Sequence, residues 1–164
     1  MDAVLITAVN GVTAGAGFSI AASGDIAVAA ESATFTMAAY TRVGLTPDGS
    51  ASYYLPRLIG IRQTQELMLT NRTLTAQHAA EWAIVTEVVP DEQIGTRSDE
   101  LAELFPASAT KTNAGVKKLL LSTFSNGLEE QMELEGQMIA ALAASKDGRE
   151  GVDALPDKRD PNYH

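Results

Sequence analysis

The sequence predicts an α/β fold that passes into a helical C-terminal portion, and three observations carry that expectation. Short apolar runs rich in Val, Ile and Ala are concentrated before Pro90, each bounded by Gly, Asn, Asp or Pro. The first of them, Ala3 to Val9, breaks at Asn10-Gly11 and leads through Gly15 and Gly17 into an alanine-rich segment without proline. That is the pattern of a buried strand, a tight turn and a helix entered at its N-terminus. From Asp91 onward strand-forming runs vanish and the pattern is helical throughout. The expected division is therefore a core over 1–90 and a helical portion over 91–164.

Taken in order, Phe18 to Ser23 forms a short helix ended by Gly24, and Asp25 to Ala30 fits a second buried strand. Thr34-Phe35-Thr36-Met37 alternates and reads as a third, short extended piece. Val43 to Ser50 is a loop with Pro-Asp-Gly turn chemistry that opens a helix near Ser50, and Pro56 implies a kink or an early end there. Ile61 to Leu69 is an amphipathic helix with Leu67 and Met68 inward. Thr75 caps a helix over Ala76 to Trp82, and Ile84 to Val89 is a β-branched strand closed by Pro90. Three helices follow. Asp91 to Phe105 stops at Pro106, Lys111 to Phe124 stops near Asn126-Gly127, and Leu128 to Ser145 carries Leu128, Met132, Met138, Ile139 and Leu142 as its apolar residues. A polar tail containing Pro156 and Pro161 closes the chain.

The bulk properties narrow the chemistry. The 164 residues suffice for a real core, and the formal charge of −9 is spread over both halves without a basic stripe, which argues against nucleic acid. No cysteine is present, so disulfides, thiolate metal sites and a cysteine nucleophile are excluded. His78 and His164 are the only histidines, which leaves little for a zinc site or a Ser/His/Asp triad, and no metal is expected. No apolar stretch approaches the roughly 20 residues of a membrane span, and no basic segment precedes Ala3, so a soluble, cytoplasmic protein is expected. A chain that enters its first strand at once leaves an edge and an apolar face, and self-association is expected from that.

Two turns attract attention as sites. Around Gly11, Gly15 and Gly17 a helix N-terminus offers N–H groups without intrahelical partners, which suits an anion or a developing oxyanion; the same glycines also suit a turn needed for packing alone. Asp48, in the Pro-Asp-Gly turn, is either a helix-capping turn residue or, buried among Leu45, Tyr53 and Tyr54, a proton shuttle. Ser19, Tyr40 and Arg42 are polar groups near these turns, and Tyr53 and Tyr54 read as core aromatics. Glu129, Glu130, Glu133 and Glu135 read as a solvated helix face, as do Lys117-Lys118 and Lys158-Arg159.

Together four ordered blocks resemble the crotonase family of acyl-coenzyme A enzymes: Ala8 to Gly17, Asp25 to Ala33, Val43 to Gly60, and Leu69 to Ala76 with Ala80 to Val85. The resemblance covers nearly the whole chain and implies the ββα spiral of the ClpP/crotonase fold, matched only over the later part of the family. The family's preceding βαβ-rich segment, which supplies a second oxyanion N–H and much of the adenine-binding surface, has no counterpart here. Leu155-Pro156 stands where the family's last helix usually continues. The implied activity is on an acyl-coenzyme A thioester, with coenzyme A part of the substrate and no separate cofactor. The oxyanion donor maps to the backbone N–H of Ala16. Hydratases of the family use two glutamates, which fall at Ser19 and Tyr40, whereas its isomerases often place an aspartate where Asp48 stands. Pro47-Asp48-Gly49 also looks like the ring-opening isomerases of phenylacetyl-coenzyme A breakdown. Expected substrate contacts are Gly15, Gly17, Ser19, Tyr40, Pro47, Gly49 and Tyr53. An enoyl-coenzyme A isomerase is thus favoured, with an inactive, truncated scaffold and a hydratase as alternatives, and the helical portion is expected to build trimers or paired trimers.

Overall fold

A computed structural model describes residues 2–38, 40–105 and 110–163, so Pro106 and His164 lie outside the described residues. The chain divides by contacts into two units, one of residues 5–102 and one of residues 1–4 with 103–164. The division falls inside the last turn of a helix, beyond the change in composition at Pro90.

The first unit is built by repetition of two strands and a helix. Strand β1 (Ile6–Val9) is followed by β2 (Val12–Ala14) and helix α1 (Ala16–Ala22); β3 (Ile26–Ala30) is followed by β4 (Thr34–Thr36) and helix α2 (Ala51–Thr70). In each pair the chain steps from one sheet to the other. β1 and β3 pair in parallel with Ile6 opposite Ile26, and β6 (Glu87–Val89) adds to β3 in parallel. β2 and β4 pair in parallel with Val12 opposite Thr34, and β5 (Leu74–Thr75) closes that sheet antiparallel to β4. Four of the five residues of β3 are buried, as a parallel strand covered on both faces requires. The core between the sheets and helices holds Phe18, Phe35, Met37, Leu55, Leu67 and Leu74, with the rings of Phe18 and Phe35 edge to face at 5.5 Å.

Several elements differ from the sequence expectation. β1 begins at Ile6 rather than Ala3, and the turn after it contains the additional strand β2. α2 runs through Pro56 and is broken instead at Gly60, whose φ of +75° and ψ of 164° separate two helical segments. Helix α3 (Ala76–Glu81) has Thr75 as its cap, with Thr75 Oγ1 accepting the His78 N–H. Ile84 and Val85 are buried but precede the strand, which spans only Glu87–Val89. A 3-10 turn (Asp91–Gln93) leads into α4 (Ile94–Glu103), which buries Leu101 against Val28 and Val89.

The second unit contains α5 (Thr110–Ser122), α6 (Leu128–Ala143) and α7 (Lys146–Ala154). α7 replaces the expected polar tail: Ser145 Oγ accepts the Gly148 N–H at 3.0 Å and starts the helix, and Ala154 is buried. α5 and α6 approach closely at Gly115, where an added Cβ would lie 3.2 Å from Met138 Cε. Between them lies an apolar groove of about 480 Å³ lined by Val116, Leu119, Met132, Met138, Ile139 and Leu142. Among the described residues no helix is long and apolar enough to cross a membrane.

Candidate active site

The site grows from the junction of β2 and α1. Gly15 caps α1 with φ +55°, and its N–H donates to the Thr36 carbonyl at 3.0 Å, tying the end of β2 to the end of β4. Helix geometry leaves the N–H groups of Ala16, Gly17 and Phe18 without intrahelical acceptors. Ala16 and Gly17 face outward, while Phe18 and Ser19 are buried. The turn thus presents donors on the outside and anchors the chain on the inside.

Against this turn sits the loop between β4 and α2. A 3-10 turn (Tyr40–Val43) is closed by the Leu45 N–H donating to the Tyr40 carbonyl at 2.9 Å. Gly49 and Ser50 then adopt left-handed backbone, φ +59° and +67°, and this pair reverses the chain into α2. Ser19 Oγ lies 2.9 Å from the Asp48 carbonyl oxygen and 3.3 Å from that of Gly15, and the Ala51 N–H reaches the same Asp48 oxygen at 3.1 Å. The approach is close enough to demand glycine. A Cβ on Gly49 would stand 2.8 Å from Ser19 Cβ and 3.6 Å from Ala16 Cα.

The Asp48 side chain is held from the other direction. Tyr40 donates its hydroxyl proton to Asp48 Oδ1 at 2.5 Å. The same hydroxyl would touch a Cβ on Gly15 at 3.0 Å, so the phenol lies between the helix cap and the carboxylate. The Asp48 hydrogen bond, reinforced by partial burial and the neighbouring negative charge, raises the Tyr40 phenol above its ordinary range and keeps it a donor. No recorded ion pair among the described residues involves Asp48.

The structure therefore joins Gly15, Ala16, Ser19, Tyr40, Asp48 and Gly49 in one cluster. It differs from the sequence reading at two residues, Asp48 and Tyr53. Asp48 is exposed rather than buried among Leu45, Tyr53 and Tyr54, and Leu45 itself is 62% exposed. Ser19 is 0% exposed, and its hydroxyl bonds the main chain. Tyr53, expected in the core, lies on the outer face of α2 with the Arg57 guanidinium 3.7 Å from its ring centre, packed edge on against the half-buried Tyr54. Gly17 and Pro47 lie on the two turns, the first exposed and the second half-buried. Among the described residues no group of three His, Asp or Glu side chains gathers as a metal site. The Tyr40–Asp48 pairing is what sequence reasoning misses: seven residues, part 3-10 turn and part irregular loop, stand between the two, and no spacing rule links them.

With this geometry in place, comparisons with known proteins agree on its class. A family model described as enoyl-CoA hydratase/isomerase matches residues 1–164, and the chain belongs to that family, the crotonase family. A 1,2-epoxyphenylacetyl-CoA isomerase from Escherichia coli is 38% identical over 159 residues, 97% of this chain and 60% of the relative. A probable enoyl-CoA hydratase from Rhodobacter capsulatus is 36% identical over 97% of this chain and 62% of its own length. The crystal structure of an enoyl-CoA hydratase from Polaromonas sp. JS666 superposes with a TM-score of 0.89 at 33% identity, covering 97% of this chain and 62% of that one. The fold is that of the crotonases, and the chain spans about 60% of the length of these relatives.

Proposed function

We propose that the chain takes part in isomerising an enoyl-coenzyme A thioester, with Asp48 moving the proton and the N–H of Ala16 binding the thioester oxygen. The observation that carries this reading is the single carboxylate placed beside the first turn of α1: a Cβ on Gly49, next to Asp48, would be 3.6 Å from Ala16 Cα. In that arrangement the Asp48 carboxylate removes a proton from the saturated carbon between the thioester carbonyl and the double bond. The electron pair moves onto the thioester oxygen, where the Ala16 N–H and the helix dipole meet the new charge. Protonated Asp48 then returns the proton to a different carbon of the same chain, which shifts the double bond and regenerates the carboxylate.

Isomerisation is favoured over hydration by the state of Ser19 and Tyr40. Adding water with two carboxylates requires a second acid here, and neither position supplies one. Ser19 lies under the backbone of Gly49 and supplies a hydroxyl bonded to the main chain in place of an acid. Tyr40 gives a neutral phenol bonded to Asp48. The similarity to the Escherichia coli isomerase supports the same choice.

For assembly we propose a homo-oligomer, trimeric or a pair of trimers, built on the second unit. Leu120, Leu121, Phe124, Leu128, Met132 and Ile139 are exposed there, more apolar surface than scattered single residues give. Light scattering coupled to size exclusion tests the oligomer. The chemistry is tested by supplying a non-conjugated enoyl-coenzyme A and following the ultraviolet absorbance of the conjugated product. Turnover that disappears in Asp48→Asn supports the reading. Turnover unchanged in that variant, or addition of water without isomerisation, refutes it.

A further inference from the structure

We propose that Tyr40 and Ser19 are positioning residues that hold Asp48 in one orientation, Tyr40 through the carboxylate and Ser19 through the main chain. The inference rests on the proposed role of Asp48 for its consequence and on geometry for its content. An exposed aspartate in a surface turn ordinarily samples several rotamers. Here one carboxylate oxygen accepts a hydrogen bond from the Tyr40 hydroxyl at 2.5 Å, while the carbonyl of the same residue accepts from Ser19 at 2.9 Å and from the Ala51 N–H at 3.1 Å. The two clamps come from different elements, one from the loop's own 3-10 turn and one from α1.

Each clamp has a matching vacancy that a side chain would fill. Gly15 leaves room for the Tyr40 hydroxyl, since a Cβ there would be 3.0 Å from it. Gly49 leaves room for the loop to descend onto Ser19, with a Cβ 2.8 Å from Ser19 Cβ. Tyr40 occupies Asp48 Oδ1, and Oδ2, which bonds no described residue, is the oxygen offered to a substrate carbon. Among the described residues, Tyr40 and Ser19 bond Asp48 and Tyr40 is the titratable one of the two; Arg42 lies exposed on the same 3-10 turn.

The experiment uses the chain with tyrosine labelled at Cζ with carbon-13. The sequence holds four tyrosines, and the Tyr40 resonance is the one lost in Tyr40→Phe. In the unaltered chain Tyr40 should deprotonate above the ordinary tyrosine range, and Asp48→Asn should bring it down toward that range. Tyr40 titrating in the ordinary range in both proteins overturns the proposal. In the enoyl-coenzyme A assay, Tyr40→Phe should lower kcat by about tenfold, the size expected for losing one charge-assisted hydrogen bond, with KM held within about twofold because a positioning loss acts on the transition state. Ser19→Ala should give the same split with a smaller fall. A Tyr40→Phe variant with kcat intact overturns the positioning role even where the titration is as expected. No turnover by the unaltered chain refutes the isomerase reading instead, and the titration alone then decides the clamp.

Discussion

Gly49→Ala tests the seating of the loop on α1. Alanine at φ +59° costs about 1–2 kcal/mol for the left-handed backbone alone. Its methyl would also lie 2.8 Å from Ser19 Cβ, closer than real Cβ atoms come, and a tight 3.2 Å from Ser19 Oγ. Ser19 cannot retreat, because it is buried on a helix beside Phe18. The loop must rise instead, and overpacking of this kind costs roughly a further 1–3 kcal/mol or is relieved by breaking the Ser19–Asp48 bond. Gly44→Ala is the matched control. Gly44 has φ +73° in the same loop, with nothing within 4 Å of its Cβ position, so it bears the backbone cost without the clash.

Urea unfolding of both variants reads the difference directly, as a change in midpoint at constant slope. Gly49→Ala should be less stable than Gly44→Ala by about 1–3 kcal/mol, or by roughly 4–8 °C in Tm where the difference is about 2 kcal/mol. Where the loop escapes the clash by lifting, the stability gap closes, but Asp48 moves with it. A displacement of about 1 Å then lowers kcat by up to ~100-fold. One of the two losses must appear. Gly49→Ala matching Gly44→Ala in both stability and turnover would refute the close packing of the loop on Ser19.

Other perturbations separate binding, chemistry and folding. Ala16→Pro removes the proposed oxyanion donor at the first helical position, where proline is well accepted; α1 should persist while kcat/KM falls about 10²–10³-fold, checked by circular dichroism and the isomerase assay together. Asp48→Asn should lower kcat by roughly 10²–10⁴-fold with the thioester still bound in calorimetric titration. Thr75→Ala and Ser145→Ala each remove a side-chain cap and should cost about 1 kcal/mol in urea unfolding. The Ser32 side chain first, and then the Ser32 N–H that donates to Asp91 at 3.0 Å, hold the Asp91 carboxyl below the ordinary 3.8. A depressed folded value gives stability that is present above the unfolded value and is lost as pH falls through the folded one, so Asp91→Asn should flatten the acid limb below about pH 4.

What the sequence shows and hides follows from where each structure's energy lies. β3 is legible because Ile26–Ala30 is apolar at every position and is buried on both faces, so local composition and tertiary environment agree. β2 is hidden because Val12-Thr13-Ala14 stands between Gly11 and Gly15 and owes its extended form to pairing with Thr34–Thr36, which local reading cannot supply. At Pro56 the missing N–H would have bonded the carbonyl of Ser52, an exposed residue in the first turn, where water serves as well; the helix therefore survives and bends at Gly60. α7 is hidden by Lys146-Asp147-Gly148-Arg149-Glu150-Gly151, a composition typical of tails, and is revealed by the Ser145 cap and the buried Ala154.

The site divides along the same line. Asp48 is legible as a candidate because Pro-Asp-Gly is local turn chemistry, and the resemblance to a family singles out the same residue. Its surroundings are not, because the apolar residues nearest in sequence, Leu45 and Tyr53, point elsewhere, while its actual partners come from Tyr40 and from α1. The two positions where hydratases of the family carry glutamates are therefore not empty in this chain. Tyr40 holds the carboxylate and Ser19 holds the backbone of the same aspartate. A site that gives up two acids and spends both positions on fixing a third group suits a reaction in which one carboxylate moves one proton twice.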